Sequence, residues 1–221
     1  MGIDSSYYKK QVKSMATSNH SWLDWAVELQ PLAQAGLYYC HNYFDRERYT
    51  RIREISAEML AAHTDASPEE IMQLFCSETG YQTPKLDTRC AIIQDEKILL
   101  VHESRGGWSM PGGWCEVNKS PAANAVKEAK EEAGVHIQVD KVIAVQDRDL
   151  HNHPLYANKV CVLFYLCTPL GGEFVPNVET TESRWFGESE LPDLSEERNT
   201  EEQIAMCFAA ARDPEWQTRF D

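Results

Sequence analysis

The sequence predicts an α/β domain preceded by a small all-helical domain, and two observations carry that prediction. Up to about Thr83 the apolar residues recur at helical spacing, and from Leu86 the pattern changes to that of strands. Beyond Leu86 the strand-like segments are interleaved with two helical ones, as α/β architecture requires. The helical domain is therefore placed at residues 1–83 and the α/β domain at residues 86–221, a division that 221 residues can support.

In the first part, Trp22, Trp25, Ala26 and Leu29 share one helical stripe, and the tryptophans read as core or interface residues. Tyr49, Ile52, Met59 and Leu60 repeat that spacing within residues 46–63. Arg46, Arg48, Arg51 and Arg53 alternate there with Glu47 and Glu54, the pattern of a solvated, salt-bridged face. Ser67 is a good N-cap for a helix opening at Pro68, with Ile71, Leu74 and Phe75 expected on its inner face.

In the second part, residues 88–93 and 97–102 read as strands flanking a turn at Gln94, Asp95 and Glu96. A glycine-rich loop, residues 105–113, follows. Ser120 and Pro121 then open a helix that Gly134 ends as a left-handed cap. Ala122, Ala125, Val126, Ala129 and Ala133 form a small-residue stripe that can lie against a sheet. Residues 137–147 and 159–167 are further strands, 182–186 a short one, and 200–211 a closing helix.

Composition narrows the function. The formal net charge is −14, which argues against general nucleic-acid binding but not against a small anion held through a metal. The seven cysteines are scattered with no CxxC pair, so reduced thiols and a cytoplasmic location are expected. No N-terminal apolar stretch reads as a signal peptide, and the apolar run at residues 160–167 is far too short to span a membrane.

The chemistry concentrates in residues 112–135, GGWCEVNKSPAANAVKEAKEEAGV. Glu128, Glu131 and Glu132 stand at i, i+3 and i+4, hence on one helix face. Crowded carboxylates oppose one another's ionisation, and at a helix C-terminus they also oppose the helix dipole. A hard divalent cation such as Mg2+ or Mn2+ relieves both costs through oxygen coordination. The plainest reading is a metal site for a phosphate-bearing substrate.

This segment resembles the Nudix box: Gly, five residues, Glu, seven residues, then Arg-Glu-apolar-any-Glu-Glu-any-Gly-apolar. Gly113, Glu128, Ala129, Glu131, Glu132, Gly134 and Val135 match, whereas Lys119 and Lys127 stand where Glu and Arg are usual. In the family that Glu and Arg often brace the loop against the helix. Here Glu116, or packing of Trp108 and Trp114, is expected to take over. The resemblance runs from about Leu86 to Phe208 and implies an α/β/α sandwich with a mixed sheet between helices. Ahead of it, WLDWAVELQPLAQAGL from Trp22 and FDRERYTRIREI from Phe44 resemble the helical extension of a bacterial Nudix subgroup. Members of that subgroup hydrolyse nucleoside diphosphates linked to another group, including ADP-ribose and CDP-choline.

Glu128 and Glu132 are assigned as main metal ligands, with Glu131 as a third ligand or bridging group and also a candidate catalytic residue, and the resemblance implies the Gly113 carbonyl as a further ligand. Arg105 and Lys127 are candidates for phosphate contact or for surface ion pairs. In the family the base often lies on a loop before a Trp-containing strand, which here points to Glu179, six residues before Trp185, with Glu182 as the fallback. An acidic surface loop is the plain alternative for both. His151 and His153 alternate in a loop, where substrate contact or solvent exposure is favoured over a metal. The expected partner is a small nucleoside diphosphate derivative, with no membrane or nucleic acid. The aromatic load of the helical part points to a homodimer. Two other functions use the same fold: a non-catalytic nucleotide-binding module, which Lys119 and Lys127 favour, and an RNA-end hydrolase, which the acidic charge disfavours.

Overall fold

The computed structural model describes residues 22–156 and 158–221, and the chain divides into two compact units between Gln82 and Thr83.

Among the described residues, the first unit holds three helices, α1 (Trp22–Tyr39), α2 (Tyr43–Ala61) and α3 (Pro68–Phe75). Asn42 caps α2 by accepting from the Phe44 N–H. Ser67 and Glu70 form a reciprocal capping box at α3. Ala26, Leu60, Phe75 and Cys76 are the buried centre, with Trp22 packed against them and stacked on His63 at 3.7 Å. Trp25, by contrast, is half exposed. Buried polar groups are tied across the unit: Ser56 Oγ donates to the Ala26 carbonyl, and Gln34 Nε2 to those of Glu78 and Gly80. The arginine face is salt-bridged as its pattern suggests, with Arg48 on Asp45 and Arg51 on Glu54 and Glu58. Leu74 corrects the expected inner face of α3: it is 73% exposed, and Phe75 buries itself instead.

The second unit contains β1 (Lys85–Gln94), β2 (Lys97–Glu103), β3 (Trp108–Ser109), β4 (Gly112–Trp114), α4 (Pro121–Ala133) and β5 (Val135–Asp147). There follow α5 (Arg148–His151), β6 (Val160–Gly172), β7 (Thr180–Gly187), α6 (Glu201–Arg212) and β8 (Arg219–Phe220). The sheet is mixed: β1 pairs in parallel with β6 and antiparallel with β4, β5 pairs antiparallel with β6, and β7 antiparallel with β2. β1 and β2 meet through a tight turn whose Asp95 and Glu96 both have positive φ.

Strand alternation sorts the core to two faces. On one, Cys90, Ile92, Leu99 and Val101 pack with Ala125, Ala129 and Ala133 of α4. On the other, Ala91, Ile98, Leu100 and Phe164 pack with Ile204, Cys207 and Phe208 of α6. The sheet thus lies between two helices. Of the small-residue stripe, Ala122 and Val126 lie off the buried seam; Val126 is 36% exposed. The strands run longer than the apolar pattern shows, because backbone pairing continues past the last buried side chain, as in β6 out to Gly172. The short α5 and β8 carry no periodic signal in the sequence.

Candidate active site

Two turns of backbone set up the site. Ser120 accepts from the Ala123 N–H to start α4, and Gly134, in the left-handed region, ends it. This fixes which turn carries Glu128, Glu131 and Glu132. Opposite the helix, β4 lies on β1, and Gly112 comes so close to it that a Cβ would stand 1.9 Å from the Thr88 carbonyl oxygen. Only glycine fits. Its N–H donates to Glu132 Oε2 at 2.8 Å. Gly113 lies beside Glu128, where a Cβ would meet Glu128 Oε2 at 3.5 Å, and its carbonyl accepts from Thr88 Oγ1 at 3.3 Å.

Glu103, Arg105, Gly113, Trp114, Glu116, Lys127, Glu128, Glu131, Glu132, Glu179 and Arg198 share one open cavity of about 570 Å³. The sequence-predicted residues Arg105, Gly113, Lys127, Glu128, Glu131, Glu132 and Glu179 are therefore brought together. Glu182 is not: it lies on β7 across from His102, and its carboxylate meets Arg184 at 2.5 Å. His151 is also elsewhere, 2.7 Å from Asp221.

The loop bearing Glu179 is anchored rather than free. Asn177 Nδ2 donates to the Glu131 carbonyl and Thr180 Oγ1 to that of Glu132, while Asn177 Oδ1 accepts from the N–H groups of Glu179 and Thr180. The Ser104 N–H donates to the Glu179 carbonyl. The end of α4 and the candidate base are thus held as one piece.

The brace takes the form that Glu116 permits. Lys119 reaches Glu116 at 2.7 Å and Lys127 reaches it at 3.4 Å. Lys127 also contacts Glu131 at 2.6 Å and Glu128 at 3.0 Å. Asn124 accepts from the Glu116 N–H, holding that loop to α4.

Electrostatics follow from burial. Glu132 is pushed up to about 7, first by burial and then by Glu128 and Glu103, against the pull of the Gly112 N–H and Arg89. Glu128 is also raised, by burial, with Lys127 acting the other way. The hydrogen bond to Glu131, joined by Glu128, holds the Lys127 ammonium well above its usual range.

Sequence reasoning missed the support behind the carboxylates. Arg89 is buried in β1, donates to the carbonyls of Met110 and Gly112, and pairs with Asp87 at 2.7 Å. Burial opposes its charge, but Asp87, Glu132 and Glu103 outweigh that and raise its pKa. Glu103 accepts from Ser109 Oγ and meets Arg198 at 3.4 Å. The available signal was charge in an apolar strand: Asp87 and Arg89 interrupt the start of β1.

Among the described residues, no three His, Cys, Asp or Glu side chains stand together as a ready ligand cluster. Lys127 engages Glu128 and Glu131, and the Gly112 N–H engages Glu132. The donor chemistry nevertheless fits a hard divalent cation. The cavity offers carboxylates, no His or Cys lines it, and Glu132 lacks full compensation for its charge.

Comparison with known proteins agrees with this geometry. Residues 84–206 match the family model described as the NUDIX domain. The chain belongs to the Nudix family. It is a Nudix hydrolase, a class that generally uses divalent metals. Residues 20–75 match a second family model, described as a UDP-X-like, N-terminal oligomerisation domain. A Bacillus subtilis strain 168 protein provisionally named ADP-ribose pyrophosphatase YjhB is 40% identical over 201 residues, 90% of this chain and 97% of that protein. The crystal structure of an ADP-ribose pyrophosphatase from Streptococcus suis 89-1591 shows 50% identity and a TM-score of 0.59, over 63% of this chain and all of that one. The crystal structure of a UDP-X diphosphatase shows 32% identity and a TM-score of 0.59, over 90% of this chain and 97% of that one. Among the described residues, no helix is long and apolar enough to cross a membrane.

Proposed function

We propose that this Nudix hydrolase cleaves the diphosphate linkage of a nucleoside diphosphate joined to a second moiety, of the ADP-ribose or CDP-choline type, releasing two monophosphates, with Mg2+ or Mn2+ as cofactor. One observation carries the reading. Glu128, Glu131, Glu132 and Glu179 share a cavity of about 570 Å³ with Arg105 and Arg198, within the ~300–1,000 Å³ that small-molecule sites span. The names of the relatives, ADP-ribose pyrophosphatase and UDP-X diphosphatase, support the same substrate class.

Glu128, Glu131, Glu132 and the Gly113 carbonyl would hold the metal. When bound, it supplies charge neutralisation at the phosphate oxygens, which otherwise repel a nucleophile. Arg105 and Arg198 line the same cavity and are the cations placed to orient the diphosphate, since Lys127 is already engaged by three carboxylates. Glu179 takes the proton of the attacking water. Its loop is hydrogen-bonded to the end of α4, so the base and the acidic face keep a fixed relation.

Residues 1–83 act in this reading as a dimerisation domain and 86–221 as the hydrolase domain. The exposed Tyr38, Tyr39, Tyr43 and Phe44 of the helical unit support pairing of two copies, as does the description of the family model it matches.

A second reading has one observation in its favour. Lys127 neutralises Glu128 and Glu131, as a nucleotide-binding module without turnover would allow. The deciding experiment offers ADP-ribose, CDP-choline, nucleotide sugars and dinucleotides with Mg2+ or Mn2+ and identifies products by mass. Paired monophosphates establish the hydrolase reading; binding without products in the whole panel establishes the other.

A further inference from the structure

Lys127 does more than replace an arginine. Its ammonium has three donors, and the three carboxylates around it are Glu131 at 2.6 Å, Glu128 at 3.0 Å and Glu116 at 3.4 Å. Two of these belong to the face that would hold a divalent cation; Glu116 does not. It sits on the loop before α4, with its other oxygen on Lys119 at 2.7 Å and its N–H on Asn124. The longest of the three contacts is thus the one to a carboxylate that has independent support.

We infer that Lys127 is a resident counter-ion of the carboxylate face and that Glu116 receives its ammonium when a divalent cation enters. The inference rests on the divalent-metal reading above. A cation coordinated by Glu128 and Glu131 repels an ammonium held between them, so the two cannot share those oxygens. Lysine suits the exchange. Its ammonium is a point charge on a flexible stem and swings with little reorganisation, whereas a planar guanidinium keeps a fixed two-pronged grip on a carboxylate. Glu116 is already in contact, so the transfer shortens one existing ion pair as it breaks two. Lys119 keeps Glu116 in place meanwhile, which gives the second departure from the box pattern a role: it holds the acceptor. The pair sets how readily metal enters.

The test is Mn2+ binding to the substrate-free full-length protein, followed by electron paramagnetic resonance and calorimetry in a double-mutant cycle. Glu116→Gln weakens Mn2+ binding by about 5-fold, the scale of one partly exposed ion pair. Lys127→Met tightens it. With Lys127→Met in place, Glu116→Gln changes the affinity by less than about 2-fold, because there is no ammonium left to receive. Near-ultraviolet circular dichroism verifies folding, and Lys127→Ala serves if Lys127→Met does not fold. Equal effects of Glu116→Gln with and without Lys127 overturn the inference alone, since they make Glu116 an independent charge. Weaker Mn2+ binding on loss of Lys127 also overturns it. No Mn2+ binding to any variant overturns the metal reading and this inference together.

Discussion

The Gly112 N–H donates to Glu132 Oε2 at 2.8 Å, and through this bond the glycine turn and the acidic helix face fix each other. The turn is held from behind by Arg89, which donates to the Gly112 carbonyl. Glu132 is therefore positioned by backbone on one side and faces the cavity on the other. Its carboxylate has one strong donor and too little positive charge, which makes it the group most improved by a metal. Glu132→Gln preserves shape and removes the charge. Turnover should fall by at least about 100-fold, the scale on which charge-stabilising groups act. Steady-state kinetics on the folded variant check this, and a near-normal rate would falsify the metal assignment.

The same carboxyl gives a stability signature. Burial raises Glu132 from 4.5 to about 7, so the folded protein binds this proton more tightly than the unfolded chain does. Between those values the folded state holds more protons, and stability falls as pH rises. The full contribution is present below pH 4.5 and is lost once pH passes about 7. It amounts to at most about 3 kcal/mol. In metal-free protein, Glu132→Gln should match the wild type near pH 5 and melt several °C higher near pH 8. Saturating Mg2+ should reverse that advantage, because it binds the ionised carboxylate. Thermal melts at the two pH values, with and without EDTA, read the effect; parallel pH profiles would sink it.

How much of this could be read from the chain depends on range. The ends of α4 were legible because Ser120, Pro121 and Gly134 act on their own neighbours, and the acidic face followed from helical spacing. Leu74 misled because an eight-residue helix has too few turns to fix its buried side by pattern. Arg89 and Glu103 escaped because their role is set by partners far along the chain: Gly112 and Glu132 for the first, Arg198 for the second. Glu182 attracted notice by its place before Trp185, but β7 has already begun there, and its pairing with β2 fixes where each side chain points.

Lys119 should be replaceable. It meets Glu116 and is not among the residues lining the cavity. In Lys119→Glu, Lys127 can pair with the new carboxylate in the arrangement usual for the box. Turnover should stay within about 3-fold of wild type, the scale of a surface ion pair. A collapse in rate, measured at saturating metal, would instead place Lys119 on the substrate.

The helical unit should be the seat of dimerisation. Tyr43 and Phe44 stand 74% and 63% exposed at the start of α2, and Tyr38 and Tyr39 at the end of α1 are also more than half exposed. Aromatic surface of that extent is covered in most proteins, and two-fold pairing is the commonest cover. Light scattering at micromolar concentration should give a dimer mass, and Tyr43→Ser with Phe44→Ser should shift it towards the monomer. A monomeric wild type removes the assignment.

The assignment of the base separates two carboxylates three residues apart. Glu179 lines the cavity, close enough to Glu128 to help raise its pKa, and its loop hangs from the carbonyls of Glu131 and Glu132. Glu182 is engaged by Arg184 on a strand. A base works only within reach of the proton it takes, so the two should differ sharply when altered. Glu179→Gln should lower kcat by about 100-fold and leave KM nearly unchanged, since the lost interaction is made in the transition state. Glu182→Gln should cost less than about 2-fold, as expected of an exposed ion pair. Should both variants keep full activity, proton removal passes to a helix carboxylate, with Glu131 the first to test because it is the most exposed of the three. Hydrolysis in oxygen-18 water completes the measurement by showing which phosphorus the water attacks.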